Sequence, residues 1–139
     1  MTEQRTVHVW MLVLQEGAVL SGLRKADEPP FAGRWVLPGD HMREDESSTE
    51  TMGRFVREQL GVAIASEEFD DTLYLQEGGA EQAINIFRVT LDGHPRFRES
   101  GPYAQMRWVD ASEVDDPAAY PAPAQLRDYL KAALQRGAR

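Results

Sequence analysis

The chain contains no cysteine, which removes both a disulfide framework and any metal site built on thiolates. Long apolar runs are also missing. The longest, Val9 to Leu14, is far too short to span a bilayer, so no membrane partner is expected. The opening Met-Thr-Glu-Gln-Arg-Thr lacks the pattern of a signal peptide, and a cytoplasmic location is the expectation. Basic residues are scarce: 15 Lys and Arg against 23 Asp and Glu leave a formal charge of −8. Affinity for nucleic acid comes mostly from basic groups that displace counterions from phosphates. No basic stripe is present, so a nucleic-acid polymer is not an expected partner. A small anionic ligand stays open if a few basic residues converge in one cleft or a divalent cation mediates.

What is present suits one domain. A length of 139 residues with 42% hydrophobic composition is enough for a single core, and no repeat, linker or low-complexity tract divides it. Val7 to Leu14 and Ala18 to Leu23 are aliphatic runs separated by Glu16-Gly17, and predict two paired strands. Lys25 to Gly33, with its Asp-Glu-Pro-Pro, predicts a loop, and Trp35 to Leu37 a short strand stopped by Pro38-Gly39. From Ser47 or Ser48 the period changes. Ser48, Thr51, Met52, Val56 and Leu60 follow spacings of three and four, which predicts an amphipathic helix ending at Gly61. Phe69 to Leu75 and Gln82 to Leu91 are strand-like on either side of Glu77-Gly78-Gly79. Gln105 to Val109 is a further strand, and Asp110 to Glu113 a turn. Pro121 to Gln135 is a helix with Leu126, Tyr129, Leu130 and Leu134 on one face. Strands, a central helix, more strands and a closing helix imply an α+β domain with a mixed sheet covered by helices.

Chemistry concentrates between Gly33 and Val62. Gly33-Arg34-Trp35-Val36-Leu37-Pro38-Gly39-Asp40 leads, without gaps, into Glu46, Arg54, Val56, Glu58, Gly61 and Val62. This stretch resembles the box of the Nudix hydrolases: Gly, five residues, Glu, seven residues, then Arg-Glu-aliphatic-any-Glu-Glu-any-Gly-aliphatic. Val19-Leu20 to Arg24 ahead of the box and Arg107-Trp108-Val109 near the end extend the likeness over most of the chain. The resemblance implies one Nudix domain over residues 1–139, with the box-like segment at 40–62, in a mixed β-sheet sandwiched between helices (α/β/α).

By the same resemblance, Glu58, Glu46 and Arg54 occupy the catalytic positions. Arg24, Phe55 and Asp40 are candidates for ligand binding. Glu58, Glu46 and the carbonyl of Gly39 are candidate metal ligands, for Mg2+ or Mn2+ if the chain is active and for no cofactor otherwise. Three box positions depart from the pattern, namely Asp40, Phe55 and Gln59. Positions 55, 58 and 59 lie three and four apart, so in an α-helix they cluster above one turn. In the family that cluster is acidic and holds metal against a diphosphate, whereas here it is Phe55, Glu58, Gln59. A phenyl ring offers no lone pair and an amide is a weak ligand, so metal binding should be weak. Asp40, Glu44 and Glu99 are the candidates left for a general base.

Plainer roles exist for each residue. Arg54 and Glu58 could be a solvated helix pair, Glu46 a helix-dipole partner, Asp40 a turn residue and Arg24 an exposed strand end. Trp10 and Trp35 suit a core, and His8, His41 and His94 show no metal-ligand spacing. Two functions follow from the resemblance. One is a weak or atypical hydrolase of a nucleoside diphosphate linked to another moiety. The other is a catalytically impaired module that binds a nucleotide-like small molecule or a protein partner. A homodimer is the expected assembly by family likeness.

Overall fold

The computed structural model describes residues 7–99 and 101–137. In chain order the elements are β1 (Val7–Leu12), β2 (Leu14–Gln15), β3 (Ala18–Arg24), β4 (Trp35–Val36), β5 (Gly39–His41), α1 (Ser48–Phe55), β6 (Ala63–Glu77), β7 (Ala80–Asp92), β8 (Tyr103–Asp110), α2 (Ala111–Val114) and α3 (Ala124–Gly137). They form the expected α+β arrangement of sheets and covering helices, with one sheet mixed and the other antiparallel. One sheet has the order β5-β1-β7-β6; the other is built on β3, which pairs with β2, β4 and β8.

β1 is buried over nearly its whole length because it lies inside the first sheet and is covered on both faces. It runs parallel to β7, with Val9 opposite Asn85, and antiparallel to β5, with His8 opposite His41. α1 packs on β1 and β5, and α3 packs on β3 and β6. Leu126, Leu130 and Leu134 of α3 are buried, as their shared face predicts, and Trp10 and Trp35 are core residues.

α1 starts where its sequence says it should. The Ser47 hydroxyl accepts from the Glu50 amide (3.1 Å) while the Ser47 amide donates to the Glu50 carboxylate (3.0 Å). This reciprocal pair satisfies two amides that the first helical turn leaves open. At its other end the helix widens into a π turn, Val56–Leu60, and stops at Gly61, whose φ of 66° is cheapest for glycine.

Several elements differ from the sequence reading. Val7 to Leu14 is broken at Val13, so only the short β2 pairs with β3 while β1 lies in the other sheet. The strand Trp35–Val36 stops before Pro38-Gly39 as predicted, but a further short strand, β5, starts at Gly39 and pairs with β1 in the other sheet. β6 begins at Ala63, not Phe69: its first half includes Ser66-Glu67-Glu68 on an edge strand, where charge is tolerated and blurs the apolar alternation. Asp110 to Glu113 forms the cap and first turn of a short helix, with the Asp110 carboxylate accepting from the Glu113 amide at 3.0 Å.

Gly39 makes the β5 pairing sterically feasible. A Cβ at this residue would collide with the Val9 carbonyl oxygen and stand 2.9 Å from the Trp10 Cα, both rigid backbone. Gly39→Ala is therefore expected to cost about 2 kcal/mol, in the range of core overpacking. Urea denaturation checks this, and an unchanged midpoint would mean that β5 can move aside without loss.

Candidate functional site

Arg54 is the hub of the site. It projects from the last turn of α1 and is only 8% exposed. Its Nε donates to Glu46 Oε2 (2.8 Å) and its Nη2 to Glu46 Oε1 (2.9 Å), a two-pronged pairing that the planar guanidinium favours. Its Nη1 donates to Asp40 Oδ2 at 3.0 Å. Glu46 is fixed further by the Thr51 hydroxyl and the Arg43 amide, each at 3.2 Å. The hydrogen bond from Arg54, above all, holds the Glu46 carboxyl down at about 2, and Glu46 in turn raises the Arg54 pKa. Asp40, Glu46 and Arg54, separate on the sequence, thus form one closed network. Asp40 also accepts from the His41 amide (2.8 Å) and stands 3.0 Å from the His41 ring.

Beside this network the space is filled by aromatic rings. Phe55 is 2% exposed and meets Tyr103 edge to face, with centroids 5.7 Å apart. The Tyr103 hydroxyl donates to the Leu37 carbonyl (2.7 Å) and lies 3.2 Å from the Gly39 carbonyl. Complete burial pushes the Tyr103 phenol pKa far up, so it stays a proton donor. Gly22 opens the notch that admits the ring, since a Cβ there would stand 2.5 Å from Tyr103 Cδ1.

The π turn redistributes the residues beyond Phe55. It carries the side chain of Gln59 inward, where Gly101 packs on its amide, and leaves Glu58 exposed. A turn wider than 3.6 residues breaks the α-helical register in which 55, 58 and 59 cluster. The loop before β8 then covers it, with the Arg98 amide donating to the Gln59 carbonyl and the Arg96 amide to the Leu60 carbonyl, each at 2.8 Å. Glu44 and Glu99 are exposed.

These placements bear on the divalent metal implied by the resemblance. Magnesium and manganese need oxygen donors with free lone pairs and uncompensated charge. The Gly39 carbonyl already faces a hydroxyl donor, Asp40 and Glu46 are engaged with one shared guanidinium, position 55 is a phenyl ring, and Glu58 is exposed. Among the described residues no cluster of three acidic or histidine side chains is arranged to hold a metal ion. This donor set does not fit the family's metal cage.

Through Asp40 the network borders a cleft of about 430 Å³ whose walls include His8, Arg24, Lys25, Glu28, Asp40 and His41. Arg24 is anchored there: Nε and Nη2 donate to the Glu28 carbonyl at 3.3 and 3.2 Å, Nη2 to the Pro29 carbonyl at 3.3 Å, and the guanidinium lies 5.5 Å from the Tyr103 ring centroid. His8 shares a hydrogen bond with the Gln82 amide oxygen (3.0 Å), and burial keeps its pKa below the ordinary histidine range. The cleft therefore gathers two cations, two imidazoles and two carboxylates, one of which, Asp40, shares Arg54 with Glu46. Its ionised side chains balance near neutrality on a chain of formal charge −8, and Arg24 and Lys25 form its cationic side.

His8, Lys25, His41 and Tyr103 are the members that sequence reasoning misses. Lys25 follows Arg24 directly, and that dipeptide at a strand end was the available signal. His8 meets His41 only through the β1/β5 register, and Tyr103 reaches Leu37 only through the β3/β8 pairing, so neither leaves a local pattern.

Comparison with known proteins gives a consistent family. The family profile described as NUDIX domain matches residues 2–131. A Mycobacterium tuberculosis protein, provisionally named 8-oxo-dGTP diphosphatase 2, is 29% identical over 122 residues, covering 79% of this chain and 81% of its own. The nucleoside triphosphatase NudI of Enterobacter sp. (strain 638) is 25% identical over 122 residues, covering 81% of this chain and 86% of its own. The crystal structure of MutT protein from Methanosarcina mazei Go1 superposes with a TM-score of 0.79 at 20% identity, over 100% of this chain and 99% of that one, a likeness of fold alone.

Proposed function

Because the chain belongs to the NUDIX domain family, we propose that it binds a nucleotide-like phosphate ligand in the cleft beside Arg24, and that the family's metal-assisted hydrolysis is strongly reduced in it. The observation that carries this reading is the aromatic plug. Phe55 stands where the family pattern has a glutamate, and the Tyr103 hydroxyl competes for the Gly39 carbonyl that the resemblance offers to a metal. Facing the cleft are two cations, Arg24 and Lys25, beside the carboxylates of Glu28 and Asp40. A guanidinium held by backbone carbonyls suits phosphate because it is always charged and its free N–H groups are pre-aimed. Phe55 then supports the cleft wall from behind, and Asp40 holds His41 and Arg54 at its edge. By family likeness the protein is a single domain over residues 1–139, cytoplasmic and homodimeric.

A second reading, a weak hydrolase, is favoured by the acidic groups that persist near the cations. Glu28 and Asp40 line the same cleft, and Glu58 is exposed on the π turn. In that case Glu58, Glu46 and Arg54 keep their family roles, with Glu58 as the carboxylate free to meet a metal–phosphate complex.

The names of two relatives make nucleoside triphosphates, 8-oxo-dGTP among them, the first ligands to try, followed by dinucleotides and nucleotide sugars. Binding measured by calorimetry in chelator, with no turnover in magnesium or manganese, is the expected result. Arg24→Ala should weaken that binding about tenfold, the equivalent of one charge-assisted hydrogen bond. Metal-dependent turnover that disappears in Glu58→Gln would replace the binding role with the hydrolase.

A further inference from the structure

Tyr103 has contacts that a core aromatic does not need. Its ring fills a notch at Gly22 so tight that any Cβ would displace it, and it packs edge-on to Phe55. Its hydroxyl reaches two carbonyls of the same strand connection, Leu37 and Gly39, on the turn leading into the box-like segment. Its backbone pairs with Arg24 across the β3/β8 ladder, just after a register shift between Leu23 and Arg24, and the Arg24 guanidinium lies over its ring. One residue therefore links the filled metal position, the carbonyl turn and the cation of the cleft.

We propose that Tyr103 is a positioning residue for Arg24: it replaces an ion as the organiser of the cleft, so that phosphate is met by a protein cation that needs no metal. Two physical effects combine. The hydroxyl proton sits against the carbonyl oxygens, which would otherwise need another partner on being buried. The ring then presents its negative face to the guanidinium and limits its motion, while the Glu28 and Pro29 carbonyls hold the N–H groups. Arg24 enters the encounter with ligand already ordered, which lowers the entropic cost of binding. This inference rests on the reading of the cleft as a phosphate site.

The test separates ring from hydroxyl and binding from folding. ADP affinity is measured by calorimetry in chelator for the wild type, Tyr103→Phe, Tyr103→Leu, Arg24→Ala and the double variant Tyr103→Leu/Arg24→Ala, with thermal unfolding of each alongside. Tyr103→Phe should lose stability but keep affinity within about threefold, because the ring remains over Arg24. Tyr103→Leu should lose about tenfold, and the double variant should bind no worse than Arg24→Ala alone, since the leucine acts only through the arginine. Additive losses in the double variant would overturn the positioning role while leaving the phosphate site standing. No loss in Arg24→Ala, or no ADP binding by the wild type, would instead remove the phosphate site itself. A ligand-free measurement remains in either case. The Arg24 Nε–H resonance should be sharp and slow to exchange in the wild type and in Tyr103→Phe. It should be averaged into solvent in Tyr103→Leu, and a resonance unaffected by the leucine would contradict the proposal outright.

Discussion

Phe55→Glu is expected to lower the unfolding free energy by about 4 kcal/mol near neutral pH, the largest loss among the single changes considered. Phe55 is 2% exposed, so the substitution forfeits roughly 2–3 kcal/mol of apolar burial. The edge-to-face contact with Tyr103 adds about 1 kcal/mol to that. The incoming carboxylate has Tyr103 and core aliphatics for neighbours, while the nearest guanidinium network is already saturated by Glu46 and Asp40. Left without a counter-charge, it will take up a proton instead of staying ionised, so its folded pKa rises above the unfolded value of about 4.3. The sign of the pH dependence follows: the penalty is greatest above the raised pKa and shrinks as pH falls toward about 5. Chemical denaturation at the two pH values measures both. Adding Gln59→Glu restores the family's acidic pattern, and magnesium titrated into that double variant asks whether the cage can be rebuilt. A loss below about 1 kcal/mol for Phe55→Glu would show that the site accommodates a carboxylate, and the binding-module reading would lose its foundation.

That prediction depends on a residue whose meaning was half visible. The box spacing shows that position 55 lies on the helix and that a phenyl ring cannot ligate a metal. It does not show what the ring packs on, because Tyr103 is far away in sequence and arrives through the β3/β8 pairing. The same division runs through the site. The helix start at Ser47, its end at Gly61 and the buried face of α3 are legible, since caps and periodicity are local properties of the chain. The π turn is not, and it changes the chemistry by turning Glu58 outward and Gln59 inward. Arg54 shows how spacing can mislead. Four residues from Glu58, it suggests a solvated helix pair, yet it points into the fold and grips Glu46 and Asp40. Spacing tells which residues share a helix face; the surrounding layers decide which face is buried. His8 and His41 carry no metal spacing and none is needed, because what unites them is one antiparallel register.

Arg54→Met should have the second largest effect, a loss of about 3 kcal/mol near neutral pH. Methionine keeps most of the apolar stem, so the cost comes mainly from the two carboxylates left without their shared cation. Full burial would raise the figure, but Asp40 and Glu46 keep 20% and 14% of their side-chain surface, and water screens part of the repulsion. The acid limb discriminates this from a simple packing defect. In the wild type the Glu46 carboxyl is held near 2, below an unfolded value of about 4.3, so its pairing stabilises the fold above about pH 4.3 and that contribution fades as pH falls toward 2. In the methionine variant, protonation instead relieves the repulsion between Asp40 and Glu46. The two stability curves should therefore lie furthest apart near neutrality and converge below about pH 4. Urea denaturation from neutral pH to about pH 3 gives both curves. A gap that stays constant across that range would mean that the guanidinium contributes packing alone, and that the ion network at the cleft edge adds nothing to the fold.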